Sequence, residues 1–419
     1  MKDLIPKVKK NETGKLKMIA GDMIINIIAT IIPIFILQFV LLPLVANSYD
    51  EYHYGLMLTL ISLITVSVQS FSVSLSNSRL LLDEQYKAEG LSGDFNILMI
   101  VYSVMNIFIV VIGTFLYEGK FTLINISLII IFSVIQLIRR YLLVAYRLEI
   151  NYKGILYSNI ILIIGYLFGM LLFFIFEGWQ LIYILGEIFS LIYVLKNTTL
   201  IKEPFKTTRL FASTTKHGLI ILAASFLGTA TTNIDRLLLY PMLGARMVTI
   251  YYVSTLFGKT ISMLVGPINN VILTYISKMK KFEVDTFKLL LTTASILGLF
   301  SYIIIILVSE PILKFLYPLY FDNAMKLIYI TTLTAIVIML CTVINPIVMK
   351  FCNIKWQIGI SSINIIVYFV FAFYLVDLFG IYGFCVAALI ASIVNLILLI
   401  LVYYSNQKKL SRKFDINIE

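Results

Sequence analysis

The stretch KNTTLIKEPFKTTRLFASTTKHG, residues 196–218, is the longest polar interruption in a chain that is otherwise strongly apolar. Of the 419 residues, 60% are hydrophobic and only 13% are charged, and the mean hydropathy is +0.97. This composition lies far outside the range of soluble globular proteins and indicates a polytopic membrane protein. The polar stretch divides that protein into two blocks.

Each block contains six apolar segments of a length that can cross a bilayer, which takes about 20 helical residues. We therefore predict an all-α polytopic membrane protein with about twelve transmembrane helices in two six-helix lobes. A weak repeat supports the division, because RLEINYKGILYSNIILII near 147–164 resembles KFCNIKWQIGISSINIIV near 350–367. Two blocks with an even number of spans would be parallel repeats.

The boundaries follow from the apolar segments. The predicted domains are the amino-terminal segment 1–17, the first lobe 18–195, the inter-lobe linker 196–212, the second lobe 213–404 and the tail 405–419. The predicted spans are 18–46, 56–82, 95–117, 121–138, 154–176, 179–195, 213–240, 247–277, 287–309, 324–349, 353–377 and 380–404.

Lysine and arginine alternate sharply between the connections. The amino-terminal segment, the even-numbered connections and the tail hold 27 of the 33 basic residues, whereas the odd-numbered connections hold only Lys120, Arg246, Lys314 and Lys326. Because basic residues near span ends are retained in the cytoplasm, both termini are predicted to be cytoplasmic. The net charge of +11 then follows mostly from topology, and nucleic-acid binding is not indicated.

When basic residues within three positions of a span end are counted with the connections, two basic residues, Arg236 and Lys259, are left inside predicted spans. Lys259 belongs to a GKT triplet, but Val253 replaces the first glycine of a phosphate loop and both flanks are apolar, so a nucleotide site is excluded. Lys259 lies near mid-span, since it follows Met247 by twelve residues, about 18 Å of helix. A lysine there costs about 2.5–3.5 kcal/mol on insertion scales and normally faces a partner or a watery cavity.

Polar side chains recur at helical spacing on the second, seventh and eighth spans. On the second span they could line a cavity or mediate tight helix packing, and both interpretations stay open. Arg236 with the adjacent Asp235 could instead be an interfacial anchor, and Lys259 could be an ion-paired lysine between helices. The stripe on the second span contains Thr59, Ser62, Thr65, Gln69, Ser72, Ser76 and Arg79. The stripe on the seventh span contains Thr229, Thr232, Asn233, Arg236 and Tyr240. The stripe on the eighth span contains Tyr252, Thr255, Lys259, Ser262, Gly266 and Asn270.

The first span adds Asp22 and Asn26, with Pro33 and Pro43 as predicted kinks. Glu187 lies inside the sixth span, either as the ion-pair partner of a basic residue or as a protonatable group. Three cysteines and two histidines show no metal-ligand spacing. No metal site, cofactor or catalytic residue is therefore predicted.

Two segments resemble a known family. LLPLVANSYDEYHYGLMLTLISL at 41–63 and TTNIDRLLLYPMLGARMVTIYYVSTL at 231–256 look like the oligosaccharide-lipid flippases of the multidrug/oligosaccharidyl-lipid/polysaccharide exporter superfamily, with similarity over essentially the whole chain. The resemblance implies two lobes around a central cavity lined chiefly by the first two spans of each lobe. It also implies a multi-pass protein of the bacterial cytoplasmic membrane.

The implied function is to move an undecaprenyl-pyrophosphate-linked oligosaccharide to the outer leaflet for O-antigen, capsule or a related polymer. Ion-coupled alternating access with H⁺ or Na⁺ is expected, with a polymerase and chain-length proteins of the same pathway as further partners. A cationic cavity wall would offset the desolvation of the pyrophosphate. The expected substrate-binding residues are Lys259, Arg236, Asn233, Gln69, Asn270, Arg79 and Asn26.

Two other functions were weighed. A cation-coupled multidrug antiporter of the same fold would use buried carboxylates, and the candidates for ion coupling are Asp22, Asp235 and Glu187. Lys259 and Arg236 offset those acids, which disfavours this reading. A membrane-embedded polymerase or glycosyltransferase would need a catalytic acid-base set or a site outside the bilayer, and the short outer connections disfavour it.

Overall fold

The computed structural model describes residues 10–119, 122–260, 284–352 and 354–416, and no β-strand occurs in these ranges. Helices follow one another with short connections. They are α1 (Lys10–Ile36), a π-helical turn (Leu37–Leu41), α2 (Leu42–Ser48), α3 (Glu51–Glu89), α4 (Asp94–Glu118), α5 (Leu123–Leu142), α6 (Val144–Leu148), α7 (Tyr152–Phe176), α8 (Gln180–Asn197), a 3₁₀ turn (Leu200–Lys202), α9 (Phe211–Leu243), α10 (described over 245–260), α11 (Val284–Leu316), α12 (Phe321–Phe351), α13 (Ile354–Phe379) and α14 (Ile381–Ile416).

The predicted all-α polytopic class is confirmed. Within the described residues, eleven helical segments are long and apolar enough to cross a membrane. The predicted span 247–277 corresponds to α10, which is helical as far as residue 260, and its remainder lies outside the described residues.

The fourth span differs from the prediction. The apolar pattern ended it at residue 138 and assigned Arg139 and Arg140 to a cytoplasmic connection. In the structure the helical segment runs from Leu123 to Leu148, so both arginines lie inside it. The physical reason is length, because 121–138 falls short of the roughly 20 residues that a span requires.

The first span is interrupted near its prolines. Pro33 lies inside α1, and the π-helical turn Leu37–Leu41 directly precedes α2, in which Pro43 is the second residue. A proline has no N–H to donate, and its ring clashes with the carbonyl four residues earlier. For Pro43 that carbonyl belongs to Phe39, inside the widened turn. The irregular turn at the predicted kink therefore has a local cause.

Glycine accounts for the close packing of α7 on α8. A Cβ atom on Gly165 would lie 2.6 Å from the carbonyl oxygen of Leu185, and one on Gly169 would lie 2.5 Å from the Cα of Ile182. Small residues four apart let membrane helices approach to backbone contact. Asn151 caps the start of α7 by accepting a hydrogen bond from the N–H of Gly154 at 3.0 Å, which fixes where this helix begins.

The described residues pack as two compact units. The first contains the chain up to Val45 and Leu56–Leu237, and the second contains Ala46–Gly55 and the chain from Leu238 onwards. In the first unit α4 packs on α5, and both α5 and α7 pack on α8; in the second, α11 packs on α12, and both α12 and α13 pack on α14. These are the same three pairings, which is what a repeated six-span block predicts. The predicted lobe boundaries along the chain stay a prediction.

Candidate functional site

Helices α3 and α9 contact each other inside the first unit. The Ser70 hydroxyl lies 2.7 Å from that of Thr229, and the Ser74 hydroxyl donates to the carbonyl oxygen of Gly218 at 2.7 Å. Of the predicted α3 stripe, Thr59, Ser62, Ser72, Ser76 and Arg79 are buried, whereas Thr65 and Gln69 are half-buried. Most of this stripe is therefore buried, Gln69 is among the members left partly accessible, and both interpretations of the stripe stay open.

Arg236 joins the two stripes. Its side chain is half-buried, and Nη1 donates to the Ser62 hydroxyl at 3.3 Å. The neighbouring Asp235 is buried, and its Oδ1 accepts the backbone N–H of Arg236 at 2.9 Å. One turn earlier, the Asn233 amide donates to the Thr229 carbonyl at 3.0 Å. This turn of α9 thus carries a guanidinium, a carboxylate and an amide.

Two candidates lie on the first span. Asn26 is half-buried on α1, and its backbone carbonyl accepts the Thr30 hydroxyl at 2.8 Å. The side chain of Asp22 lies outside the described residues, as does Asn270 on the predicted eighth span. For these two positions the sequence-based roles stay predictions.

Arg79, on α3, is held by the linker. Nη1 donates to Glu203 Oε2 at 2.8 Å and Nη2 to Glu203 Oε1 at 2.5 Å, a two-point ion pair. Asp94 anchors the same linker by accepting the N–H of Thr208 at 2.6 Å, and the Asn96 amide donates to the carbonyl of Glu203 at 3.0 Å. The Arg79 guanidinium is therefore engaged by Glu203 in this structure.

Glu187 forms a buried ion pair with Arg139 across the contact of α8 with α5. Arg139 Nε donates to Glu187 Oε2, Arg139 Nη2 donates to Oε1 at 3.3 Å, and the Gln136 amide donates to Oε1 at 3.1 Å. Glu187 is completely buried. The structure therefore pairs Glu187 with Arg139, and its role as a protonatable group stays a prediction.

Lys259 lies on α10 in the second unit, where its side chain is half-buried. The Nζ atom is 5.9 Å from the centroid of the Tyr251 ring, a distance at which an ammonium is attracted to the ring face. Tyr251 is buried and meets the Phe384 ring edge-on at 5.5 Å. Tyr252 and Thr255 of the predicted stripe are buried. The ammonium therefore has an aromatic neighbour on its own helix.

Sequence reasoning did not identify Arg139 as the partner of Glu187, nor Arg140 as its neighbour. The available signal was the carboxylate of Glu187, because an acid inside a span needs a basic partner at similar depth. The shortness of the segment 121–138 pointed to the same place, since extending the helix by one turn brings both arginines into it.

The fold defines a class: a multi-pass, all-helical membrane protein built like known flippases and exporters. No protein-family model and no curated protein matches the sequence, but solved structures match the fold. The lipid II flippase MurJ in an inward closed conformation matches with a TM-score of 0.66 and 15% identity, covering 91% of this chain and 85% of that one.

Multidrug transporters match this chain over a similarly large share of its length. An inward-facing multidrug resistance MATE family transporter of the MOP superfamily gives a TM-score of 0.62 at 13% identity, over 93% of this chain and 95% of that one. The eukaryotic MATE transporter AtDTX14 gives 0.63 at 14% identity, over 98% and 99%. At these identities the similarity establishes the fold that the chain shares with flippases and MATE transporters.

Proposed function

We propose that the protein is a flippase that moves undecaprenyl-pyrophosphate-linked oligosaccharide units across the bacterial cytoplasmic membrane for synthesis of a surface polysaccharide such as O-antigen or capsule. The observation that carries this proposal is the fold shared with a lipid II flippase in a chain whose spans contain cations. Lys259 and Arg236 are both half-buried and partly accessible.

The chemistry of the substrate explains the need for those cations. A pyrophosphate that leaves the headgroup region loses hydration, and charge-assisted hydrogen bonds from ammonium or guanidinium groups offset that loss. The proposed roles are phosphate binding for Lys259 and Arg236, and hydrogen bonding to sugars for Asn233, Gln69, Asn270 and Asn26. Arg79 would bind substrate only if Glu203 released it.

Ion coupling by H⁺ or Na⁺ is part of the proposal. Asp235 is the described candidate carboxylate, because it is buried beside Arg236, whereas Glu187 is committed to Arg139. Asp22 is the other candidate. Alternating access would expose the site to one side of the membrane at a time. No chemical step is proposed for the protein, and a polymerase and chain-length proteins of the pathway would receive the delivered units.

The test is substitution of Lys259 with export and abundance measured together. Lys259→Ala should abolish delivery of surface glycan and leave membrane abundance nearly unchanged, because the ammonium serves the substrate. Lys259→Arg should retain part of the delivery, since the charge persists while the shape differs. Lys350→Ala is the matched control, because Lys350 is exposed at the end of α12.

Two results would overturn the role of Lys259. Normal delivery by the alanine variant would end the phosphate-binding assignment. Loss of abundance that is rescued by neutralising an acid in the same protein would instead make Lys259 a structural ion-pair partner, because removing one member of a buried pair destabilises the fold.

A multidrug antiporter is the second candidate, and the similarity to MATE transporters favours it. It predicts that Asp235→Asn abolishes resistance to cationic drugs and that deleting the gene leaves surface glycan intact. The same deletion strain therefore discriminates the two functions. Glycan loss without drug sensitivity supports the flippase, and the reverse supports the antiporter.

A further inference from the structure

Three charged side chains form one cluster inside the first unit, which we call the α5–α8 cluster: Arg139, Arg140 and Glu187. Arg140 interacts electrostatically with both Glu187 and Arg139, and the hydroxyl-bearing Tyr166 of α7 interacts with all three. The cluster lies within helical segments that are apolar enough to span the membrane. With two guanidinium groups and one carboxylate, it carries one surplus positive charge.

Glu187 has little capacity left for Arg140. Its Oε2 accepts from Arg139 Nε, and its Oε1 accepts from Arg139 Nη2 at 3.3 Å and from the Gln136 amide at 3.1 Å. A carboxylate with both oxygens engaged by a neighbouring guanidinium is already neutralised. The surplus charge therefore belongs to Arg140.

Arg140 is also left unsatisfied by the protein. Its Nε is buried and has no hydrogen-bond partner among the described residues, although the side chain as a whole is only half-buried. A buried donor without a partner points to a bound group that completes it. An arginine at the centre of a span costs about 2.5–3.5 kcal/mol on insertion scales, and an arginine inside a span normally faces a partner or a water-filled cavity.

We propose that Arg140 is a phosphate-binding residue of the first unit, separate from Lys259 in the second unit. Phosphate is the anion that suits a guanidinium, because Nε–H and Nη–H can donate in parallel to two phosphate oxygens. Because the Arg140 side chain as a whole is only half-buried, part of it is open to an approaching ligand. The phosphate could come from the lipid-linked substrate of the proposed function or from an anionic phospholipid, and the proposal names the chemistry that both share.

The experiment measures binding to purified full-length protein in detergent by native mass spectrometry. Three probes are titrated separately: undecaprenyl pyrophosphate, phosphatidylglycerol and inorganic pyrophosphate. Arg140→Gln should weaken binding of at least one probe about ten- to a hundredfold, since each hydrogen bond to a charged group contributes about 1.5–3 kcal/mol. Arg140→Lys should weaken it less. Arg147→Gln is the matched control, because Arg147 is exposed at the end of α6.

Abundance separates this role from a structural one. Removing a surplus charge should leave membrane abundance of Arg140→Gln at or above that of the parent, so a loss of abundance would overturn the proposal. Unchanged binding of all three probes in both Arg140 variants would also overturn it. Preference for undecaprenyl pyrophosphate identifies the substrate as the source, and preference for phosphatidylglycerol identifies a membrane lipid.

The part of this inference that concerns substrate rests on the proposed function, and the two fail differently. If deletion of the gene leaves surface glycan intact while Arg140→Gln still loses phosphate affinity, the flippase assignment is wrong and the phosphate site stands. If Lys259→Ala abolishes glycan delivery while Arg140→Gln binds all probes normally, the phosphate site at Arg140 is wrong and the flippase assignment stands.

Discussion

Single residues set the charge balance of the first unit. Arg139 and Glu187 are buried together, and such a pair affects stability chiefly when one of its two partners is removed. Two charges taken out of water in good geometry contribute little net stability, but an isolated buried charge is strongly unfavourable. The pair therefore explains why a carboxylate is tolerated inside the sixth span.

Arg139→Gln tests this account of the pair. The variant leaves Glu187 charged and without its guanidinium, so the free energy of unfolding should fall by about 3–5 kcal/mol. Thermal unfolding in detergent and membrane abundance are the measurements. The double variant Arg139→Gln with Glu187→Gln should recover much of the loss, because no charge is then stranded. A single variant as stable as the parent would show that the pair is dispensable.

Sequence reasoning reached half of this result. It identified Glu187 as an acid inside a span that is either the ion-pair partner of a basic residue or a protonatable group, because a charge inside a span is visible in the pattern. It could not name Arg139, because the two residues are 48 positions apart and only the packing of α5 on α8 brings them together. Asp235 and Arg236 were easier to associate, since they are adjacent in the chain.

At the scale of elements, the segment that connects α2 to α3 is fixed by contacts with α10 and with the start of α12. The Thr249 hydroxyl donates to the Glu51 carbonyl at 2.8 Å, and Arg246 forms an ion pair with the Glu51 side chain. The Tyr320 hydroxyl donates to the Ala46 carbonyl at 3.1 Å. Burial, with the nearby carboxylates of Glu51 and Asp50, raises the pKa of Tyr320 to about 12, so the phenol stays a donor at neutral pH.

The closest contact of this connection is at Gly55, and it yields a prediction. A Cβ atom there would lie 1.8 Å from the Ala245 carbonyl oxygen, so Gly55→Ala must push the backbones apart, at a cost of about 1–3 kcal/mol for overpacking. A cysteine placed at Ala46, which is fully buried, should then react faster with a maleimide.

Gly228→Ala is the matched control for that experiment, because an added methyl group there meets no atom within 4 Å. It should leave the reaction rate of the cysteine at position 46 unchanged. Equal rates in the Gly55→Ala variant and the parent would mean that the connection is not held at this contact. The sequence did not predict the contact, since Gly55 and Ala245 belong to different halves of the chain.

At the scale of the whole molecule, the all-α membrane class was predictable because apolar lengths are local properties of sequence, and the division into two blocks of six spans stays a prediction. The recurrence of the same helix pairings in both units was only hinted at by the weak repeat. Which residues share a site was less predictable. Lys259 and Gln69 were expected on facing walls of a central cavity, and that arrangement stays a prediction.

The orientation of the molecule can be tested directly. Arg139 and Arg140 lie near the end of a helical segment long enough to cross a membrane, and the linker carries Lys196, Lys202 and Lys206. Because basic residues near span ends are retained in the cytoplasm, both connections predict the same orientation of their neighbouring spans. The linker and both termini should therefore face the cytoplasm.

Single cysteines at Gly119, Glu177 and Lys206 provide the measurement, in a background whose three native cysteines are replaced by alanine or serine. All three sites are exposed, so reactivity will report the side of the membrane. A membrane-impermeant maleimide applied to intact cells should label positions 119 and 177, and position 206 should react only after the membrane is opened. Labelling in the opposite order would invert the topology, and it would place the cation-rich connections on the outer face, where a phosphate-bearing substrate made in the cytoplasm could not first meet them.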